Sequence, residues 1–161
     1  MEPQQMEKAK RLINETRVMT LSVCRKDIPW SSPVYFVFLD KGFYFFSNEN
    51  SRHIKDAEDQ RPVSASIFQD SDRMELIFGF QMSGKIEAVS KMDVHLQVVQ
   101  KYVSKFSFLK QIFGPQILEN KRFFLEKFKS RLYCFQPDII YLSDNSSTSG
   151  KRSEIDLTAI C

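Results

Sequence analysis

The fold is indicated by the stretch Phe45-Phe46-Ser47-Asn48-Glu49-Asn50-Ser51-Arg52-His53. The aromatic residues at its start belong to the apolar run 43–46, which is typical of a strand buried on both faces. The polar remainder leads into a predicted short helix that runs from Ser51 to about Gln60. The segment therefore predicts a strand that ends close to where a helix begins, and a helix start carries backbone N–H groups without helical partners.

Basic residues lie at the start of this predicted helix. The N-cap falls at Asn50 or Ser51. Arg52 and His53 are then in the first turn, where the helix dipole disfavours cations. A bound phosphate would reverse that effect, because the hydroxyls of Ser47 and Ser51 and the guanidinium of Arg52 would converge on it. The segment is therefore a candidate phosphate site.

A second interpretation of the same residues needs no ligand. In it, Ser51 only caps the helix and Arg52 pairs with Asp56 one turn later. His53 then lies on the surface. Each residue has its own local explanation in this interpretation, and the spacing alone favours neither of the two.

Upstream of this segment, the spacing of apolar residues changes from helical to strand-like. Residues 3–15 place apolar side chains along one side of a helix, and residues 18–24 alternate with period two, as in a half-buried strand. A turn is expected at 26–29, followed by strands 33–39 and 43–46, which are apolar on both faces. Such strands need two covers, which a closed sheet and an adjoining helix or second subunit supply.

Downstream, the pattern predicts two strands, two helices and a last strand. These span residues 63–67, about 75–89, 91–107, 109–128 with a break at Gly114-Pro115, and 132–142. Residues 144–161 have the composition of a loop-like tail. Sequential strands joined by short turns favour antiparallel pairing. We therefore expect a mainly β protein with peripheral helices, built as a six-stranded antiparallel barrel over residues 15–143.

The order of these motifs resembles that of the pyridoxamine 5'-phosphate oxidase-like split β-barrels, which bind FMN. Residues 45–53, followed by Arg61-Pro62-Val63-Ser64-Ala65-Ser66, are similar to the FMN-phosphate segment of that superfamily, where an aromatic–hydroxyl pair precedes Ser-Arg-Lys. Ser32-Pro33-Val34-Tyr35-Phe36 is similar to the strand that lies along the flavin ring. Residues 76–86, with Asp144-Asn145, look closest to the YhbP-like branch.

The resemblance implies a set of cofactor-binding residues and a homodimer with the flavin at its interface. Arg52 and His53 would hold the FMN phosphate, with His53 in place of the usual lysine. Residues 33–36 would line the isoalloxazine ring, and Phe46 with Ser47 the ribityl-phosphate side. The full set is Pro33, Val34, Tyr35, Phe36, Phe46, Ser47, Ser51, Arg52 and His53.

Other positions depart from the true oxidases. Those enzymes resemble one another in an Arg-rich flavin strand, a glutamine facing the flavin, and a C-terminal aromatic and Arg pair that grips the substrate. This chain has Pro33-Val34-Tyr35-Phe36, Gly79 and the tail segment 150–155 in the corresponding places. Vitamin B6 oxidation is therefore not expected, and the catalytic residues and the small-molecule substrate stay unassigned.

Composition bounds the remaining functions. The 161 residues fit one domain, and an aromatic content of 13% against five glycines favours a packed interior. A net charge of +3, without long runs of like charge, gives no reason to expect nucleic-acid binding. The isolated cysteines predict no metal site. Without an apolar stretch of membrane length or a signal peptide, we expect a cytoplasmic protein with no membrane partner.

Two functional hypotheses follow from the resemblance and the residues together. The first is an FMN-dependent oxidoreductase or flavin reductase, in which the protein binds and orients a flavin that carries the electrons. The second is a non-enzymatic dimer, either a flavin or haem carrier or a cofactor-free interaction protein, because a fold does not fix a function.

Overall fold

The computed structural model describes residues 3–113, 130–146 and 152–160. Its strands are β1 (Val18–Arg25), β2 (Ile28–Tyr35), β3 (Val37–Leu39), β4 (Gly42–Ser47), β5 (Val63–Gln69), β6 (Phe78–Ala88), β7 (Arg131–Asp144) and β8 (Arg152–Glu154). Its α-helices are α1 (Pro3–Glu15), α2 (Arg52–Lys55), α3 (Met92–Lys105) and α4 (Phe108–Phe113). Short 3-10 turns span Met74–Leu76 and Leu157–Ala159. The expected mainly β class is confirmed.

A single antiparallel sheet carries all eight described strands and curls on itself. The strand order is β2-β1-β5-β6-β7-β4-β3, and β8 pairs with β7. β2 and β3 lie at opposite ends of this order, yet only Phe36 separates them in the chain. Because consecutive residues cannot be far apart, the sheet must bend round until its two ends meet, which gives the split barrel that the sequence predicts.

One of the two additional strands comes from a break in the apolar run 33–39. The backbone N–H of Phe36 donates to the carbonyl of Arg17 at 3.2 Å. β2 therefore ends at Tyr35, where it pairs with β1, and β3 starts at Val37, where it pairs with β4. The prediction of one continuous strand over 33–39 is therefore wrong. Its first half belongs to β2 and its second half to β3, which lie at opposite ends of the strand order.

The other additional strand lies in the segment 144–161, which was expected to be a loop-like tail. β8 pairs with residues 141–143 of β7. The side chains of Ile155, Leu157 and Ile160 are buried in the main core. The described part of this segment therefore belongs to the packed structure, and apolar residues scattered among polar ones concealed it in the sequence.

Two tight hairpins set the ends of the first strands. Lys26 and Asp27 have φ values of 51° and 61°, and Asp40 and Lys41 have φ values of 46° and 68°. Two-residue hairpin loops of this kind match the twist of the strands that they connect. The turn expected at 26–29 is thus shorter, and β2 begins at Ile28.

Aromatic side chains fill the interior of the barrel. Phe36, Phe43, Phe45, Phe80 and Phe135 are almost completely buried and belong to one apolar cluster. The ring of Phe43 lies 5.6 Å from that of Phe36 and 6.3 Å from that of Phe135, which are favourable separations for tilted aromatic pairs. Rings from β4, β6, β7 and the β2–β3 link therefore meet in one interior.

Helix α3 covers the outer face of β3 and β4. Val37 and Tyr44 pack with Val98, Tyr102 and Phe106 in a second apolar cluster. The Tyr102 hydroxyl donates to backbone carbonyls of Tyr35 and Tyr44, so the helix is fixed by polar contacts as well as by burial. The second cover that the two-faced strands require is, here, a helix of the same chain.

Two predicted helices differ from the structure. The helix expected at 51–60 is the single turn α2, and Asp59 and Gln60 have φ values of 62° and 58°, which a right-handed helix does not accommodate. The helix expected at 109–128 begins as α4. Its remainder, with the break at Gly114-Pro115, lies outside the described residues.

Helix α1 is fastened to the C-terminal part of the chain. Lys8 Nζ lies 2.6 Å from Asp144 Oδ2, and Gln5 Nε2 donates to Ser153 Oγ at 3.2 Å. The apolar face of the same helix is buried in the main core. We call these two polar contacts the α1 clasp.

Candidate phosphate-binding site

Three of the predicted site residues form one hydrogen-bonded cluster where β4 leads into α2. The Ser47 hydroxyl lies 2.9 Å from that of Ser51 and 2.9 Å from His53 Nε2. Ser51 Oγ lies 3.4 Å from the same nitrogen. Ser47 is only 8% exposed, so the cluster is anchored at the buried end of β4.

One fixed partner sets the direction of these hydrogen bonds. Ser51 donates its hydroxyl proton to the carbonyl of Asn48 at 2.6 Å, and its oxygen is therefore left to accept from Ser47 or His53. Ser47 in turn donates to Ser51 or to the imidazole. A neutral His53 completes the network in either tautomer, so the cluster is satisfied without a charge.

Burial of the imidazole lowers the pKa of His53 below its usual value of 6.5. The half-buried ring lies 6.4 Å from the ring of Phe45, on the interior side of β4. His53 is therefore neutral at pH 7. The surface position that the ligand-free interpretation gave to it is wrong.

The guanidinium of Arg52 lies outside the hydroxyl–imidazole cluster. Its Nε lies 3.2 Å from Asp56 Oδ2, and its Cζ lies 4.5 Å from the centre of the Trp30 ring. The ion pair with Asp56 is the one that the ligand-free interpretation expects. In the described ranges, neither Nη group of Arg52 has an acceptor, so both are available to an anion.

The one-turn length of α2 changes the argument from the helix dipole. Ser51 has the extended backbone of an N-cap, with φ −67° and ψ 147°, but its side chain makes no capping hydrogen bond. A single turn carries little dipole. Among the residues that the structure covers, the backbone N–H groups of Arg52 and His53 have no acceptor. These two N–H groups, rather than the helix dipole, are what the start of α2 offers to an anion.

The residues of the predicted flavin strand divide between two faces. Val34 and Phe36 are buried in the core, whereas Pro33 and Tyr35 are exposed. Because successive side chains of a strand point to opposite faces, only backbone groups of Val34 and Phe36 can face a ligand on the outside. Of these four side chains, only those of Pro33 and Tyr35 reach the outer surface, and the assignment of residues 33–36 to a flavin stays a prediction.

Phe46 lies on the opposite face of β4 from Ser47. Its ring is 5.1 Å from that of Tyr102 and 6.4 Å from that of His95, both on α3. The structure therefore does not bring the Phe46 side chain together with the Ser47 cluster, for the same reason of strand alternation.

A phosphate group fits the donors at this junction. The Nη groups of Arg52 and the two N–H groups at the start of α2 can donate to phosphate oxygens as they stand, and the Ser47 and Ser51 hydroxyls can do so by rotating away from their internal partners. The charge is smaller than the Ser-Arg-Lys pattern would give, because His53 is neutral. Asp56 also lies 3.8 Å from Arg25, which offsets its charge and leaves that of Arg52 for a ligand.

Trp30 and Ser32 border the site, although they are not among the predicted cofactor residues. Trp30 is 44% exposed and donates from Nε1 to Ser32 Oγ at 2.9 Å, with the Arg52 guanidinium on its ring face. A cation on an indole face is held favourably. The sequence offered no signal for this contact, because Trp30 and Arg52 belong to elements that meet only in the folded barrel.

The described part of the chain offers no competing catalytic centre. No group of three or more His, Cys, Asp or Glu side chains in it could hold a metal ion. Burial raises the pKa of the Cys134 thiol to about 12, so it is not a nucleophile at pH 7. No helix in the described ranges combines the length and apolar character needed to cross a bilayer.

Comparison with known families gives one match that covers most of the chain. Residues 5–130 match the family model described as pyridoxamine 5'-phosphate oxidase. This range includes α1, the hairpins, the Ser47 cluster and helix α3. No curated protein matches the sequence.

Solved structures share this fold at low sequence identity. A conserved hypothetical protein from Mycobacterium tuberculosis has a TM-score of 0.71 at 15% identity, with 97% of this chain and 92% of that chain covered. A FAD-binding protein from Mesorhizobium loti has a TM-score of 0.61 at 15% identity, covering 88% and 94%. A haem-binding protein from Mycobacterium smegmatis has a TM-score of 0.70 at 12% identity, and this chain spans 99% of its own length but 61% of that protein.

Proposed function

The chain belongs to the pyridoxamine 5'-phosphate oxidase family, and on that premise we propose that it binds FMN and acts as an oxidoreductase or flavin reductase on a small molecule. The observation that carries the proposal is the Ser47–Ser51–His53 cluster beside the free Nη groups of Arg52. These donors lie in residues 45–53, the segment that resembles the FMN-phosphate segment of the family. When bound, the flavin supplies hydride or single-electron transfer.

The protein's own part in this function is to bind and orient. Ser47 and Ser51 donate hydroxyl hydrogen bonds to the phosphate, and Arg52 adds a charge-assisted contact. Asp56 and Trp30 restrict the Arg52 guanidinium from two sides. The outer side of residues 33–35, with the exposed side chains of Pro33 and Tyr35, lies along the isoalloxazine ring.

The reaction is not proposed to be pyridoxamine phosphate oxidation. The Arg-rich flavin strand of those enzymes is replaced by Pro33-Val34-Tyr35-Phe36, and two of these side chains are in the core. Gly79 stands where a glutamine would face the flavin. A different small molecule is therefore the substrate.

We further propose that the protein is a homodimer with the flavin at the interface. Phe68, Ile139 and Tyr141 are 54%, 44% and 38% exposed on the outer face of the sheet. In the sheet, Gln81 of β6 lies between Ser66 of β5 and Tyr141 of β7. Phe68 and Ile139 are each two residues from one of these positions, so the three exposed apolar side chains share one face of the sheet. A second copy is the partner that a family dimer would place on this face.

The second candidate is a non-enzymatic carrier of haem or flavin, or a barrel without a cofactor. It is favoured by the likeness to the haem-binding protein and by the neutral His53, which weakens a phosphate site. Haem would require no phosphate contact at all. In a haem carrier or a barrel without a cofactor, Ser47 and Arg52 would hold no phosphate.

A binding experiment distinguishes an FMN-binding protein from a haem carrier and from a barrel without a cofactor. The full chain is purified, its visible absorbance and fluorescence are recorded before and after denaturation, and it is titrated with FMN, riboflavin and haem. We expect FMN to bind at least about tenfold more tightly than riboflavin, which lacks the phosphate. A colourless protein that takes up no FMN would contradict the proposal, and preferential haem uptake would favour the second candidate.

The affinity for FMN should rise as the pH falls. In the free protein, burial holds the pKa of His53 below 6.5, and a phosphate beside the ring would raise it, so binding takes up a proton. Between pH 8 and pH 6.5 we expect the Kd to fall by about three- to tenfold, since a single proton is linked. Fluorescence titrations at several pH values measure this.

His53→Gln supplies the control for this pH effect, because glutamine keeps a donor and cannot become charged. The variant should bind FMN with a Kd that changes little over the same range. An identical slope in both proteins would show that another group titrates. His53→Lys, which restores the family's residue, should bind more tightly than the native chain at pH 8.

A further inference from the structure

A cavity lies between the end of α1, β3 and α3, away from the phosphate junction. It has a volume of about 630 Å³. Ile13, Val37 and Phe38 provide an apolar floor, and the polar lining is Asn14, Gln97, Gln100, Lys101, Ser104 and Lys105. We call it the α1–α3 cleft. Its volume is in the range of pockets that hold small molecules.

The ammonium of Lys105 is held firmly at the edge of this cleft. Nζ donates to the carbonyl of Ile13 at 2.9 Å, in the last turn of α1, and lies 4.0 Å from the centre of the Phe36 ring. Both contacts suit a cation. The amine is therefore positioned by three different elements and does not move freely in solvent.

Among the described residues, the Lys105 ammonium has no carboxylate partner. In the part of the chain that the structure covers, neither Lys105, Lys101 nor Arg17 has an acidic side chain within ion-pair distance. The charges that bear on Lys105 are positive: Arg17 from the α1–β1 link and Lys101 from the preceding turn of α3. Burial and these two neighbours lower the pKa of Lys105 to about 8.

A partly buried cation among other cations is unfavourable unless an anion joins it. The structural contacts of Lys105 are a carbonyl and a ring, and they neutralise no charge. The same lining also presents amide and hydroxyl groups from Asn14, Gln97, Gln100 and Ser104, which can donate to oxygens of a ligand. The cleft thus combines uncompensated positive charge, neutral donors and an apolar floor.

A neighbouring cavity extends this surface. It shares Ile13, Asn14, Phe38 and Lys101 with the cleft and adds Lys10 and Asp40. The linings of the two cavities together contain the acidic residue Asp40 and the basic residues Lys10, Lys101 and Lys105. The balance of charge along the whole surface therefore stays positive.

We propose that the α1–α3 cleft is a binding site for a small organic anion, in which a carboxylate or phosphate lies on Lys105 and Lys101 and an apolar body rests on Val37 and Phe38. The site goes beyond the FMN proposal, because Ser47, Ser51, Arg52 and His53 line neither cavity. The cleft is bounded by α1, β3 and α3, whereas the Ser47 cluster lies where β4 leads into α2.

The test uses benzoate and phenyl phosphate as probes of the full chain. Binding is measured by calorimetry and by NMR of the lysine side chains, with and without FMN. We expect one of the two probes to bind in both conditions and to raise the titration midpoint of the Lys105 amine. Affinity should fall as the pH rises beyond 8, where Lys105 loses its proton. The stronger probe identifies the anionic group.

Lys105→Met keeps the length of the side chain and removes its charge, and Lys91→Met changes an exposed lysine at the start of the same helix. We expect Lys105→Met to weaken binding of the probe by about tenfold or more and Lys91→Met to leave it unchanged.

Equal binding by native protein and Lys105→Met would overturn the proposal. So would the absence of binding of either probe at millimolar concentration, or displacement of the probe by FMN. FMN binding by Lys105→Met is measured separately, so failure of this site is distinct from failure of the flavin site.

Discussion

Replacing Arg52 with alanine should raise the Kd for FMN by about 10- to 100-fold, because hydrogen bonds to a charged partner contribute roughly 1.5–3 kcal/mol. The Arg52 guanidinium is a charged group at the junction whose Nη donors have no acceptor among the described residues, whereas His53 is neutral at pH 7. Titration of FMN fluorescence with the native and variant proteins measures the change. Circular dichroism checks that the fold is kept.

The matched control is Lys55→Ala. Lys55 is exposed on the same turn of α2, so its removal changes the net charge by the same amount without removing a donor near Ser47. We expect at most a twofold or so effect, from general screening. Riboflavin adds a second control, because its affinity should not respond to Arg52→Ala. An unchanged FMN affinity would mean that the phosphate binds elsewhere.

Replacing Gly84 with alanine should destabilise the protein by about 3 kcal/mol, at the upper end of the usual cost of overpacking. Gly84 lies at the bulge where the register between β6 and β7 shifts. An added Cβ would overlap the carbonyl oxygen of Gln136 and lie 2.7 Å from Cα of Pro137. Both are backbone atoms, so no side-chain rotation relieves the overlap.

Thermal and urea unfolding of the variant measure this effect. For a chain of this length, the expected loss corresponds to a decrease of roughly 6–12 °C in Tm. Ser83→Ala is the control, because the neighbouring side chain is exposed on the other face of β6 and should change stability by less than about 0.5 kcal/mol. A similar stability of Gly84→Ala and native protein would show that β7 can shift at the bulge at little cost.

Much of the fold is predictable because its strands alternate strictly. Met19, Leu21 and Val23 mark one buried face of β1, and the structure buries all three. The break at Phe36 is not predictable in the same way, because residues 33–39 are apolar throughout. Only the closure of the barrel decides that this run must pair with β1 on one side and with β4 on the other.

The candidate site likewise has one part that the sequence predicts and another part that depends on the tertiary fold. Ser47, Ser51 and His53 are close in sequence, and local geometry brings them together as the pattern indicates. The position of the Arg52 guanidinium depends on Trp30, which lies on a different hairpin and reaches it only through the tertiary fold. The inward direction of Val34 and Phe36 is not predictable from the sequence, because residues 33–39 are apolar on both faces. Assignment to the YhbP-like branch stays a prediction.

The α1 clasp has a consequence for the order of folding. Its two contacts join positions separated by 148 and 136 residues in the chain. Closing so large a loop is entropically costly unless the intervening sheet is already formed. We therefore expect the clasp to form only after the sheet has folded. Its opening would be a partial unfolding in which α1 is exposed while the barrel stays folded.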